Sequence, residues 1–175
     1  SQPAFMIAPQ CPANGWWSGA TLTSAIGLID QVAADYSIDP DRIYITGVSM
    51  GGIGAWNAAA AQPNRFAAAA PMSGEGDVGL AGSVTTIPFW FFHAADDPVV
   101  AVSGTDALAN ALRDAGGRVV YTRYDTGGHV IWPVAYAHPG LFPWLMAQRR
   151  GAPDPFASPP LSIAASGLDE ESGSR

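Results

Sequence analysis

Ile43-Tyr44-Ile45-Thr46-Gly47-Val48-Ser49-Met50-Gly51-Gly52 is the stretch on which the fold of this chain turns. An apolar run enters a Gly-x-Ser-x-Gly pentapeptide, and an alanine-rich segment, Gly51 to Gln62, leaves it and stops at Pro63. The β-branched and aromatic residues of Arg42 to Thr46 suit a strand, and the alanines that follow suit a helix. A strand that turns sharply into a helix lifts the serine hydroxyl clear of the C-terminal edge of a sheet. Gly47 and Gly51 are expected where side chains would collide with neighbouring backbone. The helix N-terminus beneath the turn favours developing negative charge, and the Met50 N–H, one residue past the serine, is the expected oxyanion donor. The pentapeptide alone also occurs as a plain Gly-Ser turn. Its strand and helix flanks set it apart.

Outward from this stretch, secondary-structure signals alternate. Phe5-Met6-Ile7-Ala8, closed by Pro9, reads as a short buried strand, and Gln10 to Ala20 as a loop carrying Trp16 and Trp17. Leu22, Ile26, Ile29, Val32 and Tyr36 recur at helical spacing, with Ser18 or Thr21 as N-cap, until Asp39-Pro40-Asp41 breaks the pattern. Downstream, Phe66 to Ala70 is a weak strand, because alanine favours helix. Pro88 to His93 is a strong one, apolar on both faces. Asp106 to Ala115 is a helix ended by Gly116-Gly117, Val119 to Tyr124 a strand, and Pro139 to Arg150 a last helical segment. This order predicts an α/β domain over residues 1–150, a doubly wound parallel sheet with helices on both faces. Residues 151–175, rich in Pro, Ser and Gly and carrying Asp169-Glu170-Glu171, read as an acidic tail onto which Leu161 and Ile163 bring some apolar surface.

Composition excludes several classes. The 175 residues are 48% hydrophobic and carry a net charge of −7, with 15 acidic residues against 8 basic ones, all arginine. No basic patch exists to grip phosphates, so nucleic acid is not an expected partner. No apolar run approaches the roughly 20 residues of a membrane helix. Cys11 is the single cysteine, which excludes an internal disulfide framework and a thiolate zinc cluster. The three histidines lack metal-ligand spacing, and neither a metal nor a cofactor is expected.

A nucleophilic serine needs a base and an orienting acid, which follow it in the order Ser, Asp/Glu, His in this type of sheet. Among His93, His129 and His138, the second is favoured: it follows Gly127-Gly128 in a loop directly after a strand. His93 ends a buried strand and reads as a core residue; His138 lies at a helix boundary and reads as surface. For the acid, the loop His93-Ala94-Ala95-Asp96-Asp97-Pro98-Val99-Val100 offers two adjacent carboxylates. Asp125 is too close to His129 in sequence, and Asp77 lies in a glycine-rich loop.

Taken together, Ala8-Pro9-Gln10-Cys11-Pro12, Trp16-Trp17, Asp39 to Tyr44, Gly47 to Gly52, His93 to Val100, and Gly128-His129 with Trp132 and Ala135-Tyr136 resemble α/β-hydrolases. The resemblance is to the phospholipase/carboxylesterase and polyhydroxybutyrate-depolymerase-like esterases, feruloyl-esterase relatives included, and covers Pro3 to about Arg150. It implies Ser49 as nucleophile and His129 as base. The family's H-G-x-x-D-x-x-V pattern, laid on His93, puts the acid at Asp97, with Ala94 standing where the family has Gly. It also implies that Cys11 is a buried, inert thiol, and Ser49 argues against dienelactone hydrolases, which carry Cys at the elbow. By the same resemblance several strands should precede the elbow strand, and a His-Gly loop should supply a second oxyanion donor. One such strand is read here, no His-Gly pair occurs, and there is no initiator Met or signal-like segment at Ser1-Gln2-Pro3. The expectation is therefore the C-terminal portion of a longer hydrolase, impaired when isolated.

The expected activity is hydrolysis of a carboxylic ester through an acyl-enzyme, on a small-molecule or polymer-linked substrate and with no membrane partner. Pro71 to Ile87 is too short to hold a cap domain, so the cleft should be open. Trp16, Trp17 and Trp132 are expected to flank it and to suit short-chain or aryl, feruloyl-type esters. A serine peptidase of the prolyl-oligopeptidase type and a silent fragment or binding module are the alternatives. Relatives of this group are often exported, and a single free cysteine suits either side of a membrane.

Overall fold

The computed structural model describes residues 4–156. Helix α1 (Gly19–Asp35) leads to strand β1 (Tyr44–Val48), helix α2 (Met50–Ala61) and strand β2 (Ala68–Met72). A 3₁₀ turn over Val78–Ser83 precedes strand β3 (Phe89–Ala94), helix α3 (Val102–Asp114) and strand β4 (Val119–Tyr124). Two short helices, α4 (Trp132–Tyr136) and α5 (Leu141–Ala147), follow. The four strands form one parallel sheet in the order β1-β2-β3-β4, with Ala69 opposite Phe89 between β2 and β3 and Phe92 opposite Thr122 between β3 and β4.

Period-two alternation along β3 divides the core. Phe89 and Phe91 point to one face, where they join Trp56 of α2, Leu108 and Leu112 of α3, and Ile26 of α1. Trp90, Phe92 and Ala94 point to the other and meet Ile131, Ala135 of α4, and Leu141, Trp144 and Leu145 of α5. A strand apolar on both faces is what a layer of helices on each side demands. Every residue of β2 is buried, although its alanines favour helix in isolation. Their position between β1 and β3 overrides that preference, and their small side chains let helices approach closely.

Most element boundaries follow the sequence reading, but α3 begins at Val102 and not at Asp106, and larger departures occur elsewhere. Phe5 to Ala8 forms no strand: Phe5, Met6 and Ile7 are 60%, 90% and 37% exposed, and the Phe5 ring lies tilted against Tyr36 with centroids 4.7 Å apart. An apolar run becomes a strand only where a neighbouring ladder receives its backbone groups, and β1 does not receive this one. The segment expected as one helix from Pro139 to Arg150 is helical only over α5. The preceding α4, begun at Trp132 with Pro133 in its first turn, was not foreseen. Ser18, not Thr21, is the N-cap of α1, in extended backbone and without a capping side-chain bond.

Only the 3₁₀ turn lies between β2 and β3, capped by Asp77, whose carboxylate accepts the Gly79 N–H at 2.8 Å. No cap domain covers the sheet among the described residues. Cys11 is buried and free. Among the same residues no helix is long and apolar enough to cross a membrane. The tail is described only to Phe156; Leu161, Ile163 and the acidic run lie outside the described residues.

Candidate active site

The strand ends of a parallel sheet all point one way, so the residues that leave them gather at one edge. Ser49 follows β1, Ser73 follows β2, the Asp96-Asp97 pair follows β3, and His129 lies in the loop after β4. Ser49 sits at φ 53°, ψ −118°, a left-handed conformation that side chains rarely adopt, and its N–H donates to Met72 O at 2.9 Å. The close approach of strand and helix fixes two neighbours. A Cβ on Gly47 would lie 2.1 Å from Gly51 O, and one on Gly52 would lie 2.6 Å from Met72 O. The expectation for Gly51 is corrected: a Cβ there meets nothing within 4 Å, so Gly52 is the second glycine the turn requires. Met50 opens α2, where first-turn N–H groups have no intrahelical carbonyl to meet.

An unbroken hydrogen-bond chain runs from this turn. Ser49 Oγ lies 2.7 Å from His129 Nε2, and His129 Nδ1 lies 2.8 Å from Asp97 Oδ2. The Asp97 carboxylate accepts the hydrogen bond from Nδ1–H and leaves Nε2 free to accept from the serine hydroxyl, which fixes the tautomer. The Asp97 side chain is fully buried, while His129 keeps 14% exposure. Burial alone would push the Asp97 carboxyl up. Hydrogen bonds from His129 and from the Val99 and Val100 N–H groups, with the His129 charge, outweigh it and hold the group below the ordinary carboxylate range.

His93, read from sequence as a core residue, is one, and it also reaches the same carboxylate. It is fully buried, and its Nε2 donates to Asp97 Oδ2 at 3.0 Å and faces Val100 O at 3.0 Å. Its Nδ1 lies 2.8 Å from the Thr105 hydroxyl, which donates to Gly74 O at 2.6 Å. Asp97 is thus met on one oxygen by two backbone N–H groups and on the other by two imidazoles. The neighbouring carboxylate, Asp96, does not reach the imidazole and accepts the Gly128 N–H at 2.8 Å. Ser73, which lies in no motif, donates its hydroxyl to His129 O at 3.0 Å.

The aromatic residues separate. Trp132 stands edge-on to the His129 ring at 5.6 Å. Trp17 packs on α2, where a Cβ on Gly54 would lie 2.7 Å from it, and its carbonyl accepts Asn57 Nδ2 at 3.2 Å. Trp16, its neighbour, is 60% exposed. His138 lies away from the chain of bonds, edge-on to Trp90 at 5.1 Å and half-buried. Asp125 is exposed. Among the described residues no group of three or more His, Cys, Asp or Glu is placed to hold a metal ion. A serine, imidazole and buried carboxylate in this order can deprotonate the serine as it attacks a carbonyl and stabilise the imidazolium that forms.

Comparison with known proteins agrees with this architecture. The prolyl oligopeptidase family model matches residues 13–91. A probable feruloyl esterase C of Aspergillus terreus is 30% identical over 116 residues, 65% of this chain and 43% of that protein. A poly(3-hydroxyalkanoate) depolymerase C of Paucimonas lemoignei is 45% identical over 47 residues, 27% of this chain and 11% of the relative. The crystal structure of a thermostable esterase superposes with a TM-score of 0.80 at 40% identity, over 82% of this chain and 43% of that one. The chain therefore spans less than half the length of each of these relatives.

Proposed function

We infer that this chain, an α/β-hydrolase of the esterase-like group, works as a serine carboxylic-ester hydrolase. The observation that carries the reading is the Ser49–His129–Asp97 chain, with contacts of 2.7 and 2.8 Å. In this reading His129 takes the Ser49 proton as Oγ attacks the ester carbonyl, and returns it to the leaving alcohol. Asp97 holds the imidazolium, and the Met50 N–H faces the oxyanion. Water, activated by His129, then releases the acid from the acyl-enzyme.

The substrate proposed is a short-chain or aryl ester, free or carried on a polymer. An open edge without a cap among the described residues admits a polymer, and Trp132 beside His129 offers an aromatic wall; Trp17, packed on α2, and the exposed Trp16 are proposed as further substrate contacts. Similarity to proteins named feruloyl esterase and poly(3-hydroxyalkanoate) depolymerase points the same way. A second reading, a serine peptidase, is favoured by the prolyl oligopeptidase match over residues 13–91.

A fluorophosphonate probe, followed by parallel turnover of p-nitrophenyl butyrate, methyl ferulate and aminoacyl p-nitroanilides, tests these readings. Labelling that disappears in Ser49→Ala, with esters turned over in preference, is the expected result. Preferred anilide turnover would establish the peptidase. No labelling of the folded protein would remove the nucleophile and leave a silent module.

A further inference from the structure

Outside the triad, the side chains nearest the chemistry grip backbone. The residue proposed as base follows Gly127 and Gly128, at φ 151° and 62°, two successive peptides in conformations that glycine adopts freely. A Cβ on Gly127 would lie 2.8 Å from Ile131 Cγ2, so the first of them has no substitute. A base carried on such a hinge sits over Ser49 only if its backbone is held from elsewhere. Two side chains hold it. Asp96 accepts the Gly128 N–H at 2.8 Å, and Ser73 donates to the His129 carbonyl at 3.0 Å.

Ser73 is built for that contact. It is fully buried and stands at φ 47°, strain that a non-glycine residue keeps only where its surroundings dictate it. Its N–H is anchored to Phe92 O of β3 at 2.9 Å, so the hydroxyl is presented from a fixed point. The same His129 carbonyl accepts the Ile131 N–H at 3.1 Å, the bond that starts the turn into α4. Asp96 adds a second tie from the loop that also carries Asp97, so one loop engages both the ring of the base and the Gly128 N–H just before it.

We propose that Ser73 and Asp96 are positioning residues that clamp the Gly127-Gly128-His129 loop and set the imidazole between Ser49 and Asp97. The proposal rests on the triad reading above. Neither residue is needed to touch substrate, so the clamp acts on kcat and not on KM. A carboxamide oxygen can replace the Asp96 acceptor, whereas a methyl group cannot.

The test follows the downfield proton resonance of His129 Nδ1–H in its bond to Asp97, assigned by its loss in His129→Ala, beside kcat and KM for p-nitrophenyl acetate. Ser73→Ala and Ser73→Gly are expected to broaden or erase the resonance and to lower kcat about tenfold at unchanged KM. Asp96→Ala should do the same with a loss of a few-fold, and Asp96→Asn should restore both readouts. Ser73→Gly relieves the left-handed strain, and Asp96 is exposed, so the melting temperature of these variants shows that folding is intact. A sharp, unshifted resonance and wild-type kcat in Ser73→Gly and Asp96→Ala would overturn the clamp. If wild-type protein shows the resonance without ester turnover, the substrate reading fails and the resonance still decides the clamp. If folded wild type lacks it, triad and clamp fall together.

Discussion

Ser49, the nucleophile proposed above, has a disfavoured backbone, φ 53° in a residue that is not glycine. Strain of this kind is worth about 1–3 kcal/mol and persists where the rest of the structure imposes it. Ser49→Gly is therefore expected to abolish fluorophosphonate labelling while raising the melting temperature by about 2–4 °C, whereas Ser49→Ala abolishes labelling without that gain. Asp97 makes a different prediction. Its carboxyl is held below the ordinary range, so on acidification the unfolded chain takes up the proton first. The stability it contributes is present above about pH 4 and lost as pH falls through the depressed value. Urea titrations at stepped pH should show that acid limb flattened in Asp97→Asn. Ser49 and His129 were legible because a motif with its flanks and an order rule identify them. The choice between Asp96 and Asp97 needed the family pattern, since neighbouring loop residues look alike until the loop folds. His93 was legible as a core residue, but its contact with Asp97 was not, because it forms only when the acid loop folds back over β3. Ser73 carries no motif, and its role arises only where the exits of β2 and β4 meet.

At the level of elements, the elbow distinguishes two glycines that the pentapeptide treats unequally. Gly51→Ala places its methyl group in open space on a helix and is expected to be neutral, or stabilising by up to about 1 kcal/mol. Gly52→Ala drives a methyl group against Met72 O, on the strand that also receives the Ser49 N–H, and is expected to cost about 2 kcal/mol or more and to displace the serine. Chemical denaturation of the two variants checks both. The signals for β3 and β4 were legible, because their composition agrees with their place in the sheet. The limits of such signals show at β2 and at Phe5 to Ala8. The first has helix-favouring alanines and is a central strand; the second has strand-like residues and is not one. In both cases the neighbouring ladder decides, and a single run of sequence does not contain its neighbour.

Across the whole molecule, five of the eight arginines form ion pairs among the described residues: Arg65 with Asp30, Arg118 with Asp154, Arg123 with Asp106, and Arg149 and Arg150 with the Asp39–Asp41 loop. Arg149 bonds Asp39 and Asp41, and Arg150 bonds Asp41 and the Asn64 carbonyl. This cluster joins the segment after α5 to the loop that enters β1, closing the domain on itself. Its members are partly exposed, so Asp41→Ala is expected to cost about 1 kcal/mol, and the difference from wild type should shrink in high salt. Thermal melts at low and high ionic strength measure it. The sequence showed these residues as a helix break and a chain end, with nothing to indicate that they meet.

The sheet itself has one more consequence. Its two central strands β2 and β3 are wholly buried, but among the described residues β1 and β4 each have a neighbour on one side only. An open ladder is indifferent to the origin of the strand that completes it. Preparations of this polypeptide at high concentration should thus self-associate edge to edge, and a soluble partner strand supplied in excess should act as a chaperone against precipitation.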